Sequence, residues 1–285
     1  MLQVARLSPK SLGDSAELVE GFLRGQQNPD GGFKDRSGAS DLYYTVFGIE
    51  GLRALRRAEA APVADYLRGF GNGESLDLVH LSCLIRCWAN VTKAAPLDAG
   101  LIAARLDTFR TPDGGYNTVA GARAGTAYGC FVVAGAYQDL GVAMPRPEGV
   151  VACLTSLRAA DGGYANQRDL PMGLTPSTAA ACTLLRVLGE DPAPGIAAWL
   201  LSRCRPEGGF YATPAAPIPD LLSTATALHA LSGLQASIEP VRESCLDYID
   251  SLWTNAGGFY GNWTDDVLDC EYVYYGLLAL GHLSL

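Results

Sequence analysis

Apolar residues recur along the chain at helical spacing in two alternating kinds of segment. One kind is amphipathic, with polar positions filling one face, and spans residues 16–26, 61–70, 97–109, 148–157, 193–204 and 241–253. The other kind is apolar nearly all round, and spans 41–57, 76–91, 126–140, 177–188, 220–234 and 266–283. The run from Thr126 to Ala136 carries no charge at all. A helix without a polar face is buried on both sides. No segment sustains the apolar–polar alternation of a strand, so the pattern predicts an all-α protein.

Between the two kinds of helix lies a repeated turn, Gly-Gly followed by an aromatic: Gly31-Gly32-Phe33, Gly114-Gly115-Tyr116, Gly162-Gly163-Tyr164, Gly208-Gly209-Phe210 and Gly257-Gly258-Phe259. The last three intervals are 48, 46 and 49 residues, and the first, 83, contains a degenerate copy at Gly71-Asn72-Gly73. Self-similarity at this period marks a repeat architecture whose units bury their apolar faces only against neighbours. Glycine permits the positive φ of a sharp reversal. Asp41, Ser177 and Asp220 sit where N-caps of the apolar helices belong. Pro62, Pro96, Pro147 and Pro192 lie at or just before first turns of the amphipathic helices, where a missing N–H is harmless. Six helical hairpins packed in one domain over 1–285, with 1–14 as an N-terminal extension, predict a closed α6/α6 ring, apolar helices inside around a cavity and amphipathic ones outside.

Hydrophobic residues make up 48% of the chain and charged ones 18%, which suits two concentric buried helix layers. The net charge of -9 repels phosphate backbones and argues against nucleic acid as a partner. Eight cysteines are scattered through apolar segments with no CxxC pair, the pattern of buried free thiols in a reducing, cytoplasmic compartment. Residues 1–14 lack the apolar core of a signal peptide, and no apolar run reaches the length of a membrane span.

The repeated helix, Gly-Gly-aromatic turn and Asp-opened apolar helix resemble the α/α toroid of protein prenyltransferase β subunits and the related squalene and terpene cyclases, over about residues 15–285. The resemblance implies an isoprenoid held in an aromatic central cavity and, in the transferases, a Zn²⁺ held by Asp-x-Cys and a His. It also implies a helical partner subunit, and a homodimer is the other assembly considered. The fifth apolar segment opens Asp220-Leu221-Leu222-Ser223, with Leu222 at the Cys position, and the sixth puts Tyr272 at the His position. The loop 211–219 lacks the cations that clamp a diphosphate in that family, and Leu222 also replaces the proton donor of the cyclases' Asp-x-Asp-Asp motif.

Candidate chemistry therefore gathers at the head of the last apolar segment. Asp269, Glu271 and Cys270 are candidate catalytic groups, with Asp220 and Asp41 facing them. Asp265-Asp266-Val267-Leu268-Asp269 spells DDxxD, and Asp266 with Asp269 on one helical face would suit Mg²⁺. Tyr43, Tyr44, Phe47, Tyr128, Trp263, Tyr272 and Tyr275 are the candidate binding aromatics, and the aromatics of the turns are added to the cavity rim. His80, Cys83 and Cys87 share a helix face, but about 10 Å of helix separates the first from the last, so core packing is expected there and at His229 and His282. The expected function is binding of an isoprenoid, with transfer or cyclisation independent of zinc. The alternatives are a non-catalytic scaffold and a glycosidase-type α/α barrel working through Asp41, Asp77 or Asp269.

Overall fold

The computed structural model describes residues 1–57, 63–92 and 95–285. In chain order the elements are α1 (Leu2–Ala5), α2 (Pro9–Leu12), α3 (Ser15–Gly25), β1 (Phe33–Lys34), β2 (Ser40–Asp41), α4 (Leu42–Ala54), α5 (Val63–Arg68), α6 (Leu78–Val91), α7 (Ala99–Asp107), α8 (Ala127–Leu140), α9 (Pro147–Ser156), α10 (Thr175–Val187), α11 (Ile196–Leu201), α12 (Leu221–Gly233), α13 (Arg242–Leu252), β3 (Trp253–Thr254), β4 (Gly258–Phe259) and α14 (Cys270–Leu283). Each amphipathic and each apolar segment read from the pattern is a helix, with ends within a few residues. Residues 61 and 62 of the second amphipathic segment, Pro62 included, lie outside the described residues.

The chain divides into two compact units, Met1–Tyr66 with Leu200–Leu285, and Leu67–Trp199. In the first, α14 packs between α12 and α4, so the last repeat lies beside the first; α3 covers α4, and α13 covers α14. The short α1 also packs on α14, where the Val4 carbonyl lies so close to Gly281 that a Cβ there would stand 2.2 Å from it. In the second unit α8 packs between α6 and α10, with α7 and α9 against it. Buried leucines and isoleucines from the apolar helices form the cores, including Ile49, Leu52, Leu228 and Leu277 in the first unit and Leu81 and Leu84 in the second.

The five Gly-Gly turns share one construction. The first glycine of each has φ between 86° and 96°. Its N–H closes a turn onto the carbonyl three residues back, at 2.9–3.0 Å. The aromatic that follows pairs in antiparallel fashion with the end of the preceding amphipathic helix, as in Gln27 with Phe33 and Trp253 with Phe259. Phe33, Tyr116, Tyr164, Phe210 and Phe259 are all buried. These aromatics are core anchors, which corrects their expected place on a cavity rim. In four repeats the anchor's N–H is taken by a side chain one turn into the next apolar helix: Thr45 Oγ1 at 2.9 Å, Cys130 Sγ at 3.3 Å, Thr178 Oγ1 at 2.8 Å and Thr224 Oγ1 at 2.9 Å. Gly48 and Gly276 leave the space that the Phe33 and Phe259 rings fill.

Asp41, Asp77 and Asp220 cap their helices: Asp41 accepts from the N–H of Tyr43 at 2.8 Å, Asp77 from His80 at 2.8 Å and Asp220 from Ser223 at 2.6 Å. Ser177 does not; α10 begins two residues earlier, with Pro176 in its first turn and Ser177 already helical. Asp41→Ala should lower stability by about 1 kcal/mol, since two first-turn N–H groups lose their acceptor; a urea midpoint unchanged by the substitution would contradict this account of the cap.

The eight cysteines are free thiols. His229 and His282 meet in the core, Nδ1 to Nε2 at 3.1 Å, and burial and the N-terminal charge lower the His282 pKa to about 4. Among the described residues, no helix is long and apolar enough to cross a membrane.

Candidate functional site

The first turn of α14 and the loop before it form the site, together with α4 and the β1–β2 loop. The sequence reading started α14 at residue 266; it starts at Cys270 with Asp269 as its N-cap, accepting from the Tyr272 N–H at 3.0 Å. Asp266 and Asp269 therefore share no helical face. Residues 265–269 are outside the helix, and Asp265 turns back onto the N–H groups of Gly261 and Val267, both at 3.3 Å, and onto Arg36. Asp266 is exposed on this loop.

Arg36, from the loop between β1 and β2, is the residue that the sequence reading missed. Its two Nη atoms hold both Asp265 oxygens at 3.2 and 2.9 Å, its Nε donates to Asp269 Oδ2 at 2.9 Å, and its guanidinium lies 5.6 Å from the centre of the Tyr272 ring. Asp269 is 2% exposed and Asp265 11%, against 40% for Arg36. A cavity of 340 Å³ opens here, lined by Arg36, Asn262, Thr264, Asp265, Glu271 and Tyr272.

Beside the cavity lies an aromatic face. Residues 43, 44 and 47 of α4 and 271, 272 and 275 of α14 are half-buried, whereas most of their helical neighbours are fully buried. The Tyr43 ring packs edge-on to Tyr44 and to Phe47, with centroids 5.6 and 4.9 Å apart, and Phe47 lies 5.6 Å from Tyr275. The Tyr43 hydroxyl donates to Glu271 Oε1 at 2.6 Å. Gly261 makes room for Tyr272: a Cβ there would stand 2.4 Å from the ring.

The electrostatics split the carboxylates. Burial raises the Glu271 pKa to about 7; the Asp269 charge adds to the rise, and the Tyr43 hydrogen bond and Arg36 oppose it. Burial also raises Asp269, against the Tyr272 N–H and Arg36. Burial acts upward on Asp265 too, but there the Arg36 hydrogen bonds and charge and the Val267 N–H prevail and hold its carboxyl below the usual range. The Tyr272 phenol is pushed up to about 12 by burial and then by Glu271, Asp269 and Asp220. Acids driven in opposite directions within one cluster are the arrangement that lets one carboxyl stay protonated at neutral pH while its neighbour stays ionised.

Of the other candidates, Cys270 is fully buried and its thiol is raised by that burial, so it is poor as a nucleophile. Asp220 accepts from both the N–H and the hydroxyl of Ser223 and is raised by burial. Asp41 caps α4. Trp263 packs on Tyr248 and donates to Ser251 of α13 at 2.9 Å, outside the cavity lining. Tyr128 belongs to the other unit, 41% exposed on α8 beside the half-buried Phe131 and Val132.

The donor set does not fit the Zn²⁺ of the prenyltransferases. Asp220 is engaged by Ser223, Leu222 offers no donor, and Tyr272 offers a phenol held protonated. Nor does DDxxD fit Mg²⁺, because Arg36 already bridges Asp265 and Asp269. Among the described residues, no group of three or more His, Cys, Asp or Glu side chains is placed to hold a metal ion.

The profile of the prenyltransferase alpha-alpha toroid domain matches residues 4–85, 67–211 and 171–284. The chain thus belongs to this family, and its fold is the α/α toroid expected from the repeat. Among solved structures it is similar to the type II terpene cyclase MstE from Scytonema. The apo enzyme is 15% identical with a TM-score of 0.64, over 96% of this chain and 98% of that one. An arginine-to-alanine variant in complex with its substrate, geranylgeranyl dihydroxybenzoate, is 15% identical with a TM-score of 0.68, over 97% of both chains. A protein from Actinoplanes is 18% identical with a TM-score of 0.59, over 95% of this chain and 98% of that one. At these identities the likeness is one of fold. A search of the curated proteins found no match.

Proposed function

We propose that the protein binds an isoprenoid chain along the aromatic face of α4 and α14 and cyclises it by protonation, with Glu271 as the acid. The observation that carries this reading is the Glu271–Tyr43 pair. A carboxyl group with a pKa of about 7 is still about half protonated at neutral pH, and a pKa near the working pH is what suits a general acid. Its partner hydroxyl already donates to it at 2.6 Å, so negative charge developing on the carboxylate meets a preset hydrogen bond. The rings of Tyr43, Phe47 and Tyr275 lie alongside, and ring faces stabilise the cations that alkene protonation creates. The likeness to a type II terpene cyclase crystallised with a geranylgeranyl substrate supports the reading at the level of the fold. Ionisation of a diphosphate fits less well, because the cations and metal ligands it requires are missing from the positions where the family keeps them.

The two routes differ in isotope. Incubation with geranylgeranyl and farnesyl alcohols and arenes in D2O should give isomeric products, each carrying one solvent deuterium, with no release of pyrophosphate from added diphosphates. Glu271→Gln should lower the rate at least 100-fold, in line with the roughly 10²–10⁴ contributed by a positioned acid, and Glu271→Asp should retain part of it. Conversion without deuterium, or a Glu271→Gln enzyme as fast as the parent, would refute the assignment. If the intact protein binds these compounds and converts none, the non-catalytic alternative takes its place.

A further inference from the structure

The cavity beside Glu271 has a polarity of its own, and it bears on what the isoprenoid carries at its end. Arg36 is the guanidinium of the lining, and two carboxylates already occupy it. Asp265 takes both Nη atoms in a bidentate pair and Asp269 takes Nε. Such a fork is the geometry with which arginine would otherwise hold a phosphate. With two carboxylates facing one guanidinium, an entering diphosphate would have to break the bidentate pair and then lie against the released Asp265, in a chain whose net charge is -9. Neutral hydrogen-bonding groups remain unused around the same space. The Asn262 side-chain oxygen accepts from the N–H and hydroxyl of Thr264, at 2.9 and 2.7 Å, which leaves its NH2 group to donate. The Tyr272 hydroxyl stands at the lining with the glycine at 261 giving its ring room. The depression is open to solvent and its 340 Å³ leave room for one compact polar group while the chain lies on the neighbouring aromatic face.

We infer that this cavity is the head-group subsite for an uncharged hydroxylated isoprenoid, an alcohol or a phenol, and that Asp265 excludes the diphosphate by neutralising Arg36. The inference rests on the isoprenoid reading given above and narrows it to a substrate class. It also implies that diphosphate removal, or transfer of the chain to an arene, precedes this protein in a reaction sequence.

The test is a direct binding comparison with the intact chain, using geranylgeraniol and geranylgeranyl diphosphate below their aggregation thresholds and tryptophan fluorescence as the readout. The alcohol should bind at least tenfold more tightly than the diphosphate. Asp265→Asn, which removes the charge paired with Arg36 and keeps an acceptor for one of the two N–H groups of Gly261 and Val267, should loosen the hold on the two Arg36 Nη atoms and shift the alcohol-to-diphosphate preference at least tenfold toward the diphosphate. A parent protein that prefers the diphosphate overturns the head-group assignment and leaves the isoprenoid reading standing. A folded Asp265→Asn variant with an unmoved preference overturns the role given to Asp265, and the parent comparison decides the head group whether or not that variant folds. Failure to bind either compound removes the isoprenoid reading and this inference with it.

Discussion

Replacement of Gly208 by alanine should destabilise the protein by about 3–5 kcal/mol, where the same change at Gly121 should cost only about 1 kcal/mol. Both glycines hold positive φ, 86° and 76°, so both substitutions carry the strain of an L-residue in that region. They differ in what the new methyl group meets. At Gly121 there is open space. At Gly208 the Cβ would stand 1.9 Å from the carbonyl oxygen of Ser244 and 2.6 Å from its carbon. Those atoms are backbone of α13, so no side chain can swing away, and α13 would have to move off the turn. The movement would also disturb Tyr248, which packs over Gly209. Alanine's smaller unfolded-state entropy offsets only about 0.4–1 kcal/mol of this. Urea denaturation of the two variants isolates the close-approach cost from the shared strain. Equal losses at the two positions would show that helix contact at the turn contributes nothing.

That contrast bears on how much the sequence discloses. A glycine pair with a fixed period announces a turn, and apolar runs of helical length between the turns announce the helices. Both are local signals, and α3 to α14 lie where such signals put them. What the pattern could not show is why the glycines are glycines. Gly257 packs on the Leu18 carbonyl of the first repeat and Gly114 on Gly149 of the next amphipathic helix, contacts between segments distant in sequence. The turn aromatics were misplaced for a related reason. An aromatic in a polar loop looks like a ligand contact until its N–H is seen capped by Thr45 or Thr224 and its ring is seen filling the space over Gly48 or Gly276.

The candidate site was half legible. Asp269, Glu271, Tyr43, Tyr44, Phe47 and Tyr275 stand out by type and position at helix heads, and they come together because α14 packs on α4. Arg36 lies 229 residues from Asp265 in a loop that reads, by itself, as solvated charge. Its one signal was the lack of cations nearby: four acids at 265, 266, 269 and 271 in a stretch, 254–285, without Lys or Arg need a counter-charge, and the sequence does not say from where. Once Arg36 is placed, DDxxD loses its meaning as a metal motif. Two of its three acids are a guanidinium clasp and a helix cap.

The strongest solution-state consequence of the site's burial is a pH dependence that Glu271 writes into stability. Its pKa rises from 4.5 to about 7 on folding, so between those values the native state holds a proton that the unfolded chain has released. Stability from this group is therefore undiminished below about pH 4.5, falls as pH rises through the window, and is lowest above about pH 7. Each tenfold gain in proton affinity on folding is worth about 1.4 kcal/mol. Moderated by the partial exposure of the side chain, the loss across the window is about 2–3 kcal/mol. Glu271→Gln keeps an acceptor for the Tyr43 hydroxyl and has no charge to desolvate. The variant should match the parent near pH 4.5 and exceed it by about 2–3 kcal/mol at pH 8. Asp220 and Asp269, also raised, and Asp265, lowered, add slopes of their own to both proteins. The difference between parent and variant, measured by denaturant unfolding at the two pH values, isolates Glu271. If Glu271 is the acid of the reaction, the parent's turnover should fall above about pH 7, across the same upper limb in which the native state gives up its proton. A parent–variant difference that stays flat from pH 4.5 to 8 would mean that this carboxyl is solvated and ionised like any surface glutamate, and the geometry around Tyr43 would then give it no special acidity to use.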